Sequence, residues 1–225
     1  MADISLPKAA VSWSSGKDSS MALYKILKRG EVQPVTLLTT VNVDYDRVSM
    51  HGVREELLLK QAENCGLPLL KVEIPRDSSN QIYQTAMKEA IGKLKEMGVR
   101  YMIFGDIFLE DVRDYRISMM KGTGIEPIFP LWGENPAKLA HDIIEAGIRA
   151  KIVCLDPRKL NESFGGRDFD RELLKDLPEL VDPCGENGEF HTFVYNAPFF
   201  KEPVKVRNGQ SVFRDGFYFT DLVPG

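Results

Sequence analysis

The sequence has few of the features that mark disulfide-rich, metal-cluster or membrane proteins. Its three cysteines, Cys65, Cys154 and Cys184, lie far apart, and none belongs to a Cys-x-x-Cys pair. Neither a disulfide framework nor a zinc or iron–sulfur site is therefore expected. No apolar run approaches the roughly 18 residues that cross a membrane, and residues 1–5 carry no basic segment followed by an apolar one. We expect a cytoplasmic protein with reduced thiols and no membrane partner.

The sequence also lacks a large excess of charge of either sign. It contains 29 Lys and Arg against 33 Asp and Glu, a formal net charge of -4, whereas proteins that mainly bind nucleic acid usually carry a basic surface. Nucleic acid is therefore not expected as the main partner. The chain has 225 residues, of which 43% are hydrophobic, enough for a full core. We expect one domain with a C-terminal elaboration.

The stretch Val11–Ser20 joins a short apolar run to a helical pattern. A turn at such a junction points unpaired backbone N–H groups outward at the positive end of a helix dipole, which favours anion binding. A Walker A loop is excluded, because Val11 stands where that motif has Gly and Asp18 where it has Ser or Thr. A carboxylate beside bound phosphates implies a divalent cation between them. The alternative is a Ser/Gly turn in which Asp18 caps the helix.

Helical and β patterns alternate along the first part of the chain, which predicts an α/β fold with a parallel sheet. The predicted strands are 9–12, 35–41, 69–74, 101–104 and 125–129, and the predicted helices are 19–29, 53–65, 79–97 and 110–120. After residue 131 a capped helix start at Asn135-Pro136, strands at 151–155 and 190–195, and a tail of edge strands or a hairpin predict a smaller α+β part.

Polar residues follow the predicted strands where ligands of open α/β sheets collect, at the carboxyl edge. Thr39, Thr40 and Asn42 come at the end of the second strand, and Gly105 and Asp106 follow the fourth. Right-handed crossovers bring such strand ends together. We therefore expect Asp106 near the Val11–Ser20 loop.

The late stretch Val181–Tyr195 places two carboxylates and a histidine within six positions, at Glu186, Glu189 and His191. Such a set can bind a metal, act as acid and base, or hold a cationic substrate. The alternative is a charged β-turn with a half-buried histidine.

Two motifs resemble those of a known family. Ser12-x-Ser14-Ser15-Gly16-Lys17-Asp18-Ser19 resembles the pyrophosphate loop (Ser-Gly-Gly-x-Asp-Ser) of the PP-loop ATP pyrophosphatase superfamily, with Ser15 in place of the first Gly. Glu186–Val194 resembles the Glu-Gly-Gly-Glu-Phe/Tyr-Glu-Thr signature of its diphthine–ammonia ligase (adenine nucleotide alpha hydrolase-like) family. Asn187 replaces a Gly and His191 replaces an acidic residue. With Phe104–Ile107 and Pro130–Trp132 in the matching order, the resemblance covers nearly the whole chain.

The resemblance implies a Rossmann-like, HUP-type ATP-binding domain over residues 1–131 and a substrate-binding subdomain over 132–225. It implies ATP-dependent amide formation: a carboxylate attacks the α-phosphorus, pyrophosphate leaves, and ammonia displaces AMP. The expected partners are ATP, Mg²⁺, ammonia and a carboxylate acceptor such as a protein-borne diphthine. No glutaminase nucleophile is evident, so ammonia would come free or from another protein.

The resemblance also assigns expected roles to individual residues. Lys17 would neutralise the pyrophosphate, and Asp18 and Asp106 would hold Mg²⁺. Thr39, Thr40 and Asn42 would line the adenosine pocket. The late turn would orient the acceptor or take a proton from ammonium, whereas His51 and His141 are expected to be structural. The expected catalytic residues are Lys17, Glu186, Glu189 and His191, and the expected ATP-binding residues are Ser12, Ser14, Ser15, Gly16, Lys17, Asp18, Ser19, Thr39, Thr40, Asn42, Gly105 and Asp106.

Other functions remain open at this stage. A bacterial PP-loop enzyme could act on a different acceptor, for example in a cobalamin-related amidation, and a regulator of the same fold would bind nucleotide without turnover. A tRNA-modifying enzyme is a third alternative, against which the acidic balance and the absence of Cys pairs count. A homodimer is also left open.

Overall fold

A computed structural model of the chain describes residues 6–42, 47–48, 52–75 and 79–225. His51 and the polar stretch 43–46 lie outside these residues. The N-terminal part contains the helices α1 (Lys17–Arg29), α2 (Glu55–Cys65), α3 (Asn80–Glu96) and α4 (Glu110–Met120). Its strands are β1 (Lys8–Ser12), β2 (Gln33–Asn42), β3 (Arg47–Val48), β4 (Leu69–Ile74), β5 (Val99–Ile103) and β6 (Glu126–Ile128).

Five of these strands form a parallel sheet in the order β4-β2-β1-β5-β6, and the short β3 pairs antiparallel with the end of β2. Strand β1 lies between β2 and β5, so successive crossovers leave it in opposite directions along the sheet. At such a topological switch point the carboxyl ends of neighbouring strands border a crevice. The sheet therefore places the end of β1 and the end of β5 together.

Helices cover both faces of this sheet, as the continuous apolar strands require. One apolar cluster joins the sheet to α1 and α2 through residues such as Leu23, Ile26 and Leu57. A second cluster joins it to α3 and α4 through residues such as Leu94 and Met120. The predicted Rossmann-like α/β fold is confirmed. The spacing of Ile82, Ala86, Ala90 and Leu94 predicts one helical stripe on α3, of which Ile82 is 46% exposed.

The C-terminal part is a four-stranded antiparallel sheet with two short helices, which confirms the predicted α+β character. Strands run in the order β8-β7-β10-β9. The elements are α5 (Pro136–Glu145), β7 (Arg149–Leu155), a 3₁₀ turn (Glu162–Phe164), α6 (Arg171–Asp176), β8 (Phe190–Asn196), β9 (Val206–Arg214) and β10 (Phe217–Pro224). Helix α5 begins as predicted, because the Asn135 side chain accepts a hydrogen bond from Lys138 N at 3.0 Å.

The two parts share one hydrophobic core and meet at β8. The first apolar cluster includes Val11 of β1 as well as Phe193 of β8. At the junction, Val194 N donates to Ser15 O at 2.9 Å, and Lys17 N donates to Thr192 Oγ1 at 3.1 Å. The C-terminal sheet therefore contacts the Val11–Ser20 loop directly. Within the parts of the chain that the structure describes, no helix is long and apolar enough to cross a membrane.

Candidate functional site

The loop between β1 and α1 has the geometry of an anion site. Ser15 adopts a left-handed conformation with φ of 70°, and the extended Gly16 precedes a helix that begins at Lys17. The first bond inside the helix runs from Ser20 N to Gly16 O at 3.2 Å, so the backbone N–H groups of Asp18 and Ser19 precede the helical ladder. The helix starts two residues earlier than predicted, which places Lys17 and Asp18 in its first turn.

The predicted serines converge around this turn. Ser14 Oγ lies 3.2 Å from Ser19 Oγ, and Ser19 Oγ donates to Gly16 O at 3.0 Å. These hydroxyls stand beside the positive end of the α1 dipole, where they can donate to an anion. Ser12 and Ser14 also line the neighbouring cavity.

The ammonium of Lys17 is enclosed where the two parts of the chain meet. Lys17 is 1% exposed, and its Nζ donates to Asp18 Oδ2 at 2.9 Å and to the carbonyl oxygen of Cys184. The rings of Phe169 and Phe190 lie 5.5 and 5.2 Å from Nζ, within cation–π range. Burial lowers the pKa of Lys17, but the neighbouring acidic groups, Asp18 foremost, together outweigh this and the net pKa is raised. Lys17 is therefore a stable cation in the site.

Gly105 and Asp106 lie against the loop, as their position at the end of β5 predicts. A Cβ added to Gly105 would stand 2.9 Å from the carbonyl carbon of Asp18, so only glycine fits. Burial raises the pKa of Asp106, an effect that Arg116 opposes, with Arg116 Nε 3.8 Å from Asp106 Oδ2. The structure thus brings Asp18 and Asp106 to the same edge of the sheet.

The two aspartates fit the expected magnesium ion. Asp18 Oδ1 and Asp106 Oδ2 are buried and have no hydrogen-bond partner, and carboxylate oxygens are the ligands that Mg²⁺ prefers. Among the described residues no group of three or more His, Cys, Asp or Glu could hold a metal. A cation here would therefore complete its shell with phosphate oxygens and water, the usual arrangement for Mg²⁺.

The late turn carries Glu186 to the end of β5. Its shape is fixed by Asp182, whose carboxylate accepts from Cys184 N at 3.0 Å and from Glu186 N at 2.8 Å. Glu186 Oε1 accepts from Ile107 N at 2.8 Å. Burial raises the pKa of Glu186 to about 7, with the charge of Asp18 adding to the shift and the Ile107 hydrogen bond opposing it. The Glu186 carboxyl can therefore exchange a proton near neutral pH.

Glu189 is buried beneath the same turn. It is 4% exposed, and its Oε1 accepts from Asp182 N at 3.4 Å and from Asn187 Nδ2 at 3.3 Å. Its Oε2 is buried without a hydrogen-bond partner. Glu189 thus stabilises the turn through one oxygen and leaves the other available.

His191 lies on the face of β8 that points away from Lys17. Successive side chains of a strand point to opposite faces, and on β8 Phe190 and Thr192 both contact Lys17. His191 lies between them and therefore projects from the other face. The structure does not bring His191 to Lys17.

A cavity of about 160 Å³ adjoins the loop at the ends of β1, β2 and β5. A cavity of roughly this size holds one aromatic ring. Thr39 and Thr40 line it, while Asn42 is not among its lining residues. Thr39 also donates to Trp13 O at 2.7 Å. The other lining residues are Ser12, Trp13, Ser14, Leu38, Tyr83, Met87, Ile91, Leu94, Met102, Phe104, Arg116 and Met120.

Four residues of the site were not predicted from the sequence. Thr192 stands inside the late motif, and an aspartate two residues before Cys184 is a common turn signal, so Thr192 and Asp182 could have been found. No sequence motif pointed to Gln61 or Trp13 as residues of the site. Gln61 lies on α2 and is fully buried, and it bonds to Trp13 and to both sides of the junction between loop and β8.

Comparison with known proteins identifies the family. The family model of the diphthamide synthase N-terminal domain matches residues 7–127, and that of the C-terminal domain matches residues 135–222. The first match alone covers more than half of the chain. The chain belongs to the diphthamide synthase family.

Named relatives agree with this membership. The diphthine–ammonia ligases of Mus musculus and Homo sapiens are 23% and 24% identical over 96% of this chain and 88% of their own length. That of Schizosaccharomyces pombe is 24% identical over 88% of this chain, which spans 36% of that longer protein. A solved U34-tRNA thiolase from Methanococcus maripaludis has 16% identity over 63% of this chain and a TM-score of 0.39, too low to carry an argument. Membership of the diphthamide synthase family confirms the predicted family and the predicted enzyme class, a ligase.

Proposed function

We propose that this protein is an ATP-dependent, amide-forming ligase that adenylates a carboxylate, releases pyrophosphate and lets ammonia displace AMP. The observation that carries the proposal is the junction at Lys17. The same ammonium contacts the loop, through Asp18, and the late turn, through the Cys184 carbonyl. An ATP-binding loop and a turn with a proton-exchanging carboxyl are thereby held next to each other.

The cavity and the loop together accommodate the parts of ATP. The cavity is large enough for a base but too small for a whole nucleotide, for which pockets of about 300 Å³ or more are usual. With the base inside, beside Thr39 and Thr40, the phosphates would extend past Ser12 and Ser14 to the start of α1. This places the negative charge where backbone N–H groups and the helix dipole attract it.

Lys17 is suited to stabilise the leaving pyrophosphate. An ammonium has three N–H donors, and two of them reach Asp18 and Cys184. The remaining donor can bind a phosphate oxygen whose charge grows as the α–β bond breaks, which is how a fixed cation lowers a barrier. Asp18 and Asp106 would hold Mg²⁺, which supplies charge neutralisation of the phosphates when bound.

The Glu186 carboxyl is the candidate for proton transfer in the second step. Its pKa of about 7 allows it to accept a proton from ammonium and to release it again near neutral pH. Glu189, with one unpartnered oxygen, would help to hold the acceptor. Under this proposal, His191 helps to orient the acceptor and does not contact Lys17.

A protein-borne diphthine is the proposed acceptor, on the strength of the relatives' names. A different carboxylate is the second candidate, because Asn187 and His191 depart from the family motif. Reduced thiols, which the structure shows as free cysteines, favour a cytoplasmic location.

The test is the release of AMP and pyrophosphate from ATP with Mg²⁺, ammonium and a diphthine-bearing protein. Lys17→Ala is expected to abolish release, and chelation of Mg²⁺ is expected to do the same. Lys28→Ala, on the exposed side of the same helix, is the matched control and should retain activity. Undiminished AMP formation by Lys17→Ala, or release of ADP in place of AMP, would overturn the mechanism.

A further inference from the structure

Gln61 joins three segments of the chain that meet at the loop. It is fully buried on α2. Its Nε2 donates to Ser15 O at 3.1 Å and to Val194 O at 2.5 Å, and its Oε1 accepts from Trp13 Nε1 at 3.0 Å. One side chain therefore connects the end of β1, the loop itself and strand β8.

The orientation of the Gln61 amide follows from its three partners. A primary amide has two donors on nitrogen and an acceptor oxygen, and two carbonyl oxygens face Nε2 while an indole N–H faces Oε1. Rotating the amide by half a turn would oppose oxygen to two carbonyls and nitrogen to a donor. The buried site accepts only one arrangement, since an unpaired buried polar group is costly.

The carbonyl that Gln61 binds belongs to the strained residue of the loop. Ser15 has φ of 70° and is fully buried, and a left-handed conformation is unfavourable for a residue with a Cβ. Its carbonyl oxygen accepts both from Gln61 Nε2 and from Val194 N, at 3.1 and 2.9 Å. Two donors from other parts of the chain thus fix the peptide plane that follows Ser15. The N–H of this plane, on Gly16, donates to Ser14 Oγ at 3.4 Å, so the plane also sets where the helix begins.

We propose that Gln61 is a positioning residue that holds Ser15 in the left-handed conformation, so that the N–H groups in the first turn of α1 face the bound anion. The proposal rests on the proposed function in that it takes pyrophosphate as the anion. Gln61 does not touch the anion itself. It acts on binding through the Ser15 carbonyl, and the same amide keeps β8 in register with the loop through the Val194 carbonyl.

The test is a double-mutant cycle of Gln61→Met and Ser15→Gly in the full-length chain, with the dissociation constant of Mg²⁺-pyrophosphate measured by calorimetry. Met has a similar volume but no amide. Glycine adopts positive φ without strain, so Ser15→Gly removes the need for the restraint. Gln61→Met is expected to weaken binding about 5- to 30-fold in the Ser15 background, the range that the strain of one left-handed residue corresponds to. The loss should shrink to less than about threefold in the Ser15→Gly background.

An equal loss in both backgrounds would overturn the proposal, because a general structural effect of Gln61 would not depend on residue 15. Gln81→Met, on the exposed face of α3, is the control for the chemical change. If Gln61→Met does not fold, Gln61→Glu keeps the shape of the side chain, and its pyrophosphate affinity should fall as pH rises and the introduced carboxyl ionises against two carbonyls. If the pyrophosphate affinity of Gln61→Glu changes with pH no more than that of wild type, the proposal is contradicted.

Amide hydrogen exchange of residues 15–19 without ligand separates this proposal from the proposed function. Gln61→Met should exchange faster than wild type there, and adding Ser15→Gly should restore part of the protection. A wild-type chain that does not bind pyrophosphate would refute the function of the loop, while the exchange result would still decide the role of Gln61.

Discussion

Substitution of Gly105 by alanine tests whether the end of β5 sets the position of the loop. An added Cβ would stand 2.9 Å from Asp18 C, 3.0 Å from Asp18 O and 3.0 Å from Ser19 N, whereas ordinary contact begins at 3.4 Å. All three atoms are backbone, so no flexible side chain can move aside. Either the first turn of α1 or the end of β5 must therefore shift by about 0.5 Å. The shift is costly, because the core around both elements is close-packed.

The expected effect of Gly105→Ala on activity exceeds its effect on stability. Overpacking of this kind costs about 1–3 kcal/mol of the free energy of unfolding. A displacement approaching 1 Å between reacting groups can reduce a rate by about 100-fold, and this displacement falls on Asp18 and Ser19, beside the proposed pyrophosphate. We therefore expect kcat/KM for ATP, measured by pyrophosphate release, to fall by about 10- to 100-fold while the fold is retained at 25 °C.

Gly92→Ala is the matched control for this substitution. Gly92 lies on the exposed face of α3, with no atom within 4 Å of an added Cβ. In a helix interior alanine is favoured over glycine by about 1 kcal/mol, so this variant should be slightly more stable and equally active. The reasoning is refuted if Gly105→Ala keeps kcat/KM within about twofold of wild type.

Two further predictions concern the late turn. Because burial raises the pKa of the Glu186 carboxyl to about 7, the folded state binds its proton more tightly than the unfolded state, and this contribution to stability is complete below about pH 4.5 and lost as pH rises through 7. Glu186→Gln mimics the protonated form. Its free energy of unfolding, measured by chemical denaturation with a chelator present, should therefore equal that of wild type at pH 4.5 and exceed it by at most about 3 kcal/mol at pH 8. Equal free energies of the two proteins at both pH values would contradict the raised pKa of Glu186. Asp182→Ala removes the acceptor for Cys184 N and Glu186 N, so it should cost about 1–2 kcal/mol of stability and lower kcat/KM for the acceptor. Calorimetry should show a smaller loss of pyrophosphate affinity, because the loop keeps its contacts with β8, and a loss as large as that of kcat/KM would contradict the prediction.

Most of the fold was predictable because its signals are local. The continuous apolar strands and the helices between them follow from side-chain periodicity and capping residues, and α4 and β4 begin and end at the predicted residues. Ile82 is an exception, because local signals do not determine its exposure. Its spacing fits the stripe of α3, but periodicity does not report how far the rest of the protein covers that stripe.

The site was only partly predictable. The loop residues and Asp106 were located because parallel strands deliver their carboxyl ends to one edge. His191 lies between Phe190 and Thr192, which both contact Lys17, and it therefore projects from the other face of β8, since neighbouring residues of a strand face opposite sides. Gln61 lies on a helix with no motif around it, and its role depends on three hydrogen-bond partners from other segments.

The sequence by itself determined the turn between β1 and α1, the α/β alternation and the family, because each depends on residues that are close together along the chain. The tertiary structure decided which distant residues complete the loop: Cys184 and Thr192 at Lys17, and Gln61 at Ser15. These contacts join segments separated by 167, 175 and 46 positions. They form only when the two sheets pack on a common core, because hydrogen bonds between distant segments need the burial of apolar surface to hold the segments in place.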